Sequence, residues 1–333
     1  PVMVGPKCLV EPAAATNLIT YSEDFTDAAW VKSTSVVALD AVGPDGLANS
    51  ATTLTDNSAT GTGQARVYEG VTVTTSSAYT FSAYLKADQL DEAHFWIVGF
   101  TTPAIGGIFF NLTAGTVGTA DTGLVGTIED VGNGWFRCAV TFTTDAADTS
   151  GTVNIQVADG ESYVVPLDGT SSILVYGAQF EEGSVPSSYI PTAGATATRA
   201  LETLVIPAAN LASVANTTAM SIHLKGMMSY ADTDATTATD GVSGEAVPFS
   251  WRLDDSNYIF TSLETGGLKT GLMHFAQEAA GVFDNKTTSS TYYSPGLNVA
   301  LNIASRHTSS AVNGATDGTA LTANETPTAL ADL

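Results

Sequence analysis

The chain has 333 residues, with 34 acidic against 11 basic side chains and a formal net charge of −23. At 44% hydrophobic and 14% charged residues it is too apolar for a disordered chain and lacks the basic face that releases counterions from nucleic acid. It has no run of about 18 apolar residues that would cross a membrane as a helix. Such a length suits about two domains, and a Thr- and Ser-rich, Lys-poor composition suits an all-β extracellular or particle-surface protein.

In chain order, residues 1–20 read as an extended N-terminal segment. A chain that opens on Pro1 with no signal peptide reads as a processed or partial piece of something longer. Short alternating or apolar runs follow at 79–85 (YTFSAYL), 94–100 (HFWIVGF), 107–112 (GIFFNL), 135–142 (WFRCAVTF), 152–157 (TVNIQV) and 173–180 (ILVYGAQF). In the first, Tyr79, Phe81, Ala83 and Leu85 share one face. Helical periodicity is nearly absent. Short strands separated by turn signals, such as Gly43-Pro44-Asp45-Gly46 and Gly132-Asn133-Gly134, indicate a β-sandwich or jelly roll. A boundary falls near 185–200: Pro186 and Pro191 lie in an extended stretch, and a run of small residues follows as a linker at 193–200. Strand-like runs resume at 221–226, 249–253, 258–263, 271–275 and 299–304, with polar loops expected at 231–243 and 284–290.

The two cysteines, Cys8 and Cys138, leave a disulfide open. Two buried, unpaired thiols are the expectation, because two cysteines in so long a chain make no disulfide scaffold. No cysteine or histidine spacing suits zinc.

Four segments taken in order resemble a module of tailed-bacteriophage virion proteins: CLVEPAAATNLITYSEDFTDAAW (8–30), TFSAYLKA (80–87), GNGWFRCAVTF (132–142) and GAQFEEGSVPSSYIPT (177–192). That module occurs in tail fibres, tail-associated proteins and head fibre or decoration proteins. The resemblance covers 8–192 and implies a jelly roll similar to carbohydrate-binding modules over 21–192. SWRLDDSNYIF (250–260) and AVNGATDGTALT (311–322) resemble, less closely, a concanavalin A-like or laminin-G-like sandwich over 201–333. There the second run implies a hairpin turning at Asn313-Gly314, as turn chemistry alone also suggests. Relatives of that kind continue past a stretch like 327–333 into closing strands. Without them an edge is exposed, to be paired by residues beyond the end or by a neighbouring chain. Together the resemblances imply two tandem all-β sandwich domains at a virion surface. They also imply other virion proteins as partners, a homo-oligomer with a trimer favoured, and host-surface polysaccharide as ligand.

Glycoside hydrolysis needs two carboxylates about 5–10 Å apart. The Glu-x-Asp-x-Glu strand pattern of concanavalin A-like hydrolases is absent, and the neighbours Glu181 and Glu182 point to opposite faces of a strand. Asp254-Asp255 reads as a turn. No G-x-S-x-G is present, and His94, His223, His274 and His307 lie singly in or near strand-like runs, as satisfied structural histidines do. The loop Thr60-Gly61-Thr62-Gly63 precedes a strand and no helix, so it offers no phosphate cradle. Modules of the resembled kind carry structural calcium, for which Asp232, Asp234 and Asp240 form the best acidic loop. Sugar binding uses exposed aromatic faces. Trp30, Trp135 and Trp251 read as core, leaving Tyr68, Tyr84, Trp96, Tyr292 and Tyr293 as candidates for glycan contact or for subunit anchors. The sequence therefore points to a non-catalytic, glycan-binding virion-surface protein. A capsid decoration or cement protein is the first alternative, and a polysaccharide depolymerase with an accessory module the second.

Overall fold

The structure, a computed structural model, describes residues 11, 14–101, 106–201, 219–230, 245–265, 271–288 and 292–329. Every regular element among them is a β-strand. The chain divides into two compact units, Pro1–Glu202 and Thr203–Leu333.

The first unit holds two six-stranded sheets. One runs in the order β10 (Thr116–Ala120), β9 (Gly106–Asn111), β8 (Glu92–Val98), β13 (Ser150–Ala158), β6 (Arg66–Thr72) and β2 (Val31–Ser33). The other runs β11 (Val125–Gly132), β12 (Trp135–Thr143), β7 (Ala78–Ala87), β15 (Ser172–Glu182), β4 (Ala51–Asp56) and β3 (Ser35–Ala41). Two short pairs complete the unit: β1 (Ala15–Asn17) with β16 (Ala197–Arg199), and β5 (Thr62–Gly63) with β14 (Val165–Pro166). All pairings are antiparallel.

Strict alternation aims one face of each sheet at the other. Phe81, Ala83 and Leu85 of β7 meet Phe95 and Ile97 of β8 and Val153, Ile155 and Val157 of β13 in one continuous buried cluster. The rings of Phe81 and Phe95 lie 4.8 Å apart across the sandwich. Burying each such side chain contributes about 2 kcal/mol. Trp30 and Trp135 are buried as expected, the Trp30 indole donating to the Tyr21 carbonyl at 2.8 Å. Cys138 is a buried free thiol whose pKa burial pushes well up; Cys8 lies outside the described residues.

A clasp joins the two ends of this unit. Asn17, fully buried, donates to the carbonyls of Ala178 (3.0 Å) and Ile190 (2.8 Å) and accepts from the amides of Ile19 and Phe180 (both 3.1 Å). Ser22 exchanges hydrogen bonds with Thr192. Glu181 accepts from Gln179 and from the amide and hydroxyl of Ser187. It is buried while Glu182 is exposed, so the two point apart on β15. Thus the first and last of the four distinctive segments are one structural feature.

The second unit has two four-stranded sheets. One runs β17 (Ala219–Tyr230), β22 (Gly296–Thr308), β23 (Val312–Thr316) and β24 (Thr319–Ala320). The other runs β18 (Glu245–Asp254), β19 (Asn257–Glu264), β20 (Met273–Ala279) and β21 (Val282–Thr287). Its core falls into two small clusters, one around Leu263, Met273, Phe275, Tyr293 and Ile303, the other around Ile259 and Ala279. Trp251 is half-buried against the latter.

Two expectations are corrected here. The hairpin of 311–322 exists, but it turns at Asp317-Gly318, both at positive φ (46° and 83°), and not at Asn313-Gly314. Gly314 lies within β23, where the Phe275 ring packs against it; a Cβ there would come within 2.0 Å of that ring. The polar stretch 284–290 begins inside edge strand β21, which pairs with β20 through a turn at Ala280-Gly281. An edge strand facing water tolerates Asp, Asn, Lys and Thr. Residues 324–328 lie against this strand: Asp284 accepts from Asn324 Nδ2 (3.0 Å) and from the Thr328 amide (2.7 Å).

Candidate functional site

The outward face of the sheet containing β8 and β13 carries the site. Because Phe95, Ile97, Val153 and Ile155 point into the core, the residues between them point out. Antiparallel register aligns them into two rows. One runs Val31, Tyr68, Asn154, Trp96 and Gly107; the next runs Ser33, Arg66, Gln156, His94 and Phe109. Tyr68 and Trp96, both half-buried, are joined by Arg66, whose guanidinium lies 4.8 Å from the Trp96 ring centre and 5.7 Å from that of Tyr68. Gln64 fixes Arg66 by accepting from Nη1 at 2.7 Å. Asn154 Nδ2 donates to the Trp96 carbonyl at 2.9 Å.

Beside this stack is a pocket of about 110 Å³. His94 and Gln156 line it, and Trp96, Tyr163, Gly107 and Asp121 surround them. His94 Nδ1 and Gln156 Oε1 are 2.7 Å apart. The imidazole forms a three-ring cluster with Phe109 (4.4 Å) and Tyr163 (5.1 Å between ring centres), which themselves stack at 6.4 Å. Burial pushes the His94 pKa below its ordinary value, opposed by the Gln156 hydrogen bond and the Asp121 charge. Gly107 makes the room: a Cβ there would lie 1.9 Å from His94 Nε2. Asp121 is tied to the same glycine, accepting from its amide at 2.8 Å through Oδ2 and donating its own amide to its carbonyl at 2.9 Å.

Two buried side-chain nitrogens on this face have no hydrogen-bond partner, Arg66 Nε and Gln156 Nε2. Gln156 is 1% exposed, yet its Nε2 has no hydrogen-bond partner. Turning the amide over would exchange which atom meets His94 and leave the other unpaired. A buried, unpartnered amide costs about 1–3 kcal/mol, a cost a ligand in the pocket would relieve.

The other candidates from the sequence do not join this site. Tyr84 lies on β7 of the opposite sheet, in a cluster with Tyr176 (5.9 Å) and Tyr189 (5.8 Å). Glu23 accepts from both Tyr176 and Tyr189, and Arg137 lies 5.6 Å from the Tyr84 ring centre. Tyr293 is corrected from a surface to a core position, 3% exposed; Tyr292 is half-buried against the same cluster. Asp232, Asp234 and Asp240 lie outside the described residues. Among the described residues no three His, Cys, Asp or Glu side chains form a group that could hold a metal ion.

Sequence reasoning missed Arg66, Gln156, Tyr163 and Asp121. The signal for Gln156 was present in TVNIQV, where Asn154 and Gln156 alternate with the apolar residues. The other histidines have partners: His223 Nε2 meets Asn302 at 2.8 Å, His307 Nε2 meets Ser305 at 3.1 Å, and His274 lies between Thr287 (3.0 Å) and Glu264 (2.9 Å).

The second unit presents a different surface. Arg252, Tyr258, Glu278 and Phe283 align across four strands. Tyr258, Phe260 and Phe283 form a ladder with ring centres 5.8 and 6.1 Å apart, and Phe283 is 48% exposed. No known protein family matches the chain, and no curated protein matches it either.

Proposed function

We propose that the chain is a non-catalytic surface protein of a tailed-phage virion and that its first unit, a jelly roll of the carbohydrate-binding-module kind, binds host-surface glycans. The phage assignment rests on the four ordered segments. The observation that carries the binding assignment is the unpartnered, buried Gln156 amide in a pocket walled by Trp96 and Tyr163. Sugars bind by stacking on aromatic faces while amides and carboxylates satisfy their hydroxyls. Among the described residues Asp121 is the one carboxylate lining that pocket, and glycoside hydrolysis calls for a pair.

A second reading, a capsid decoration protein, is favoured by the Tyr258–Phe260–Phe283 ladder, half-buried at its first two rings and exposed at Phe283, since aromatic rows of this kind anchor protein interfaces. One experiment separates the two. The full chain is applied to an array of bacterial surface polysaccharides, beside a reducing-sugar assay. Glycan binding that Trp96→Ala weakens at least tenfold, with no sugar released, supports the first reading. An array without hits moves the assignment to the decoration protein, and release of reducing ends overturns both.

A further inference from the structure

Building on the glycan reading, we infer that the pocket takes a single uncharged sugar residue at a glycan chain end, held through two adjacent hydroxyls. The polar groups set the chemistry. If Gln156 Oε1 accepts from His94 Nδ1, the ring proton sits on Nδ1 and Nε2 is left as an acceptor over Gly107. The pocket lining then offers two amide donors, Gln156 Nε2 and Gln64 Nε2, and two acceptors, His94 Nε2 and the Asp121 carboxylate. A hydroxyl both gives and takes a hydrogen bond. One hydroxyl accepts from Gln156 and donates to His94; its neighbour donates to Asp121. A carboxylate or sulfate in the same place has no hydrogen for either acceptor, and it would face Asp121 in a chain of net charge −23. The one cation of the neighbourhood, Arg66, gives Nη1 to Gln64 and lies over the Trp96 ring; its Nε is buried without a partner, and the residue is not part of the pocket lining.

Size sets the position. A volume of about 110 Å³, closed by Tyr163 over His94 on one side and by Trp96 on another, admits one ring.

The test uses the full chain and defined probes: methyl glucoside, galactoside and mannoside, their tetrasaccharides, and the corresponding methyl uronates. The expected result is that one neutral monosaccharide binds within threefold of its tetrasaccharide, and that its uronate binds at least tenfold more weakly. Asp121→Asn should narrow the neutral-to-uronate gap at least threefold, a change that mere loss of structure would not produce. Gln156→Leu, close in shape, removes the unpaired amide but also the acceptor of His94 Nδ1, so it should lose neutral binding at least tenfold while the melting temperature changes little, the two structural effects opposing each other. Affinity that climbs tenfold or more from one ring to four, or a preference for uronates, with both lost in Trp96→Ala, would overturn this inference and leave the glycan reading intact. Failure of every probe, together with an empty polysaccharide array, would remove both.

Discussion

The two units solve the same architectural problem differently. In the first, one uninterrupted apolar cluster fills the space between its sheets, with Phe81, Phe95, Phe110 and Phe180 all fully buried. Among the described residues of the second, the apolar core falls into two clusters, and Thr261, Gln277, His307 and Thr316 are buried among the strands. A continuous apolar core leaves the outward face of a sheet free to carry polar groups such as Asn154 and Gln156. A core with polar members depends on their protonation and pairing, so its stability responds to pH through those members.

The largest effect expected from this contrast is in the clasp of the first unit. Asn17→Ala removes four buried hydrogen bonds and strands four backbone groups, at about 1 kcal/mol each, for a total of about 4 kcal/mol. Denaturant titration of the full chain, followed by amide exchange in each unit, should show the loss in the first unit. A loss below about 1 kcal/mol would mean that the core alone sets that unit's stability.

Next is the acid response of the second unit. Burial holds the His307 imidazole neutral, with its pKa lowered from 6.5 to about 4. Above pH 6.5 neither folded nor unfolded chain is protonated there, and the unit keeps its full stability. As pH falls from 6.5 to about 4 the unfolded chain takes up the proton first, so stability drains away by up to about 3 kcal/mol. The His307→Gln variant should flatten the second unit's exchange-derived stability over that window. An unchanged slope would break the argument. His94 in the first unit is shifted in the same direction, so the sharper comparison is between the single variants His307→Gln and His94→Gln.

The smallest effect is at the surface of the second unit. Arg252 pairs with Asp255 at 2.7 Å, and the two side chains are 54% and 95% exposed. Exposed pairs contribute little, so Arg252→Ala should cost under about 1 kcal/mol in thermal melts. A larger loss would show that its contact with the Tyr258 ring, 4.6 Å away, does more than the ion pair.

The strand class was legible because alternation is a local property: YTFSAYL lies within β7 and TVNIQV within β13, each with the apolar face inward. Residue type flagged Tyr68 and Trp96. Their union with Arg66, and the pocket of His94 and Gln156, came from the order of β6, β13, β8 and β9 in the sheet, which no local pattern encodes. Tyr293 looked like a surface ring because its neighbours are polar, yet it packs with Phe275 and Ile303 from distant strands. Asn313-Gly314 has strong turn chemistry, but contact with Phe275 claims Gly314 for a strand, and Asp317-Gly318 makes the bend.

The clasp has a mechanical meaning. In β1 and β16, Ala15 faces Arg199 and Asn17 faces Ala197, so the incoming and outgoing chain leave the pair from the same end. A pull on the two ends would open this pair like a zipper, bond by bond, starting beside the Arg199–Glu11 ion pair at 3.1 Å. It would reach the Asn17 knot before any strand of the six-stranded sheets took up the load. The first unit thus has a built-in order of yielding, in which a short ribbon gives way before the strands of the six-stranded sheets.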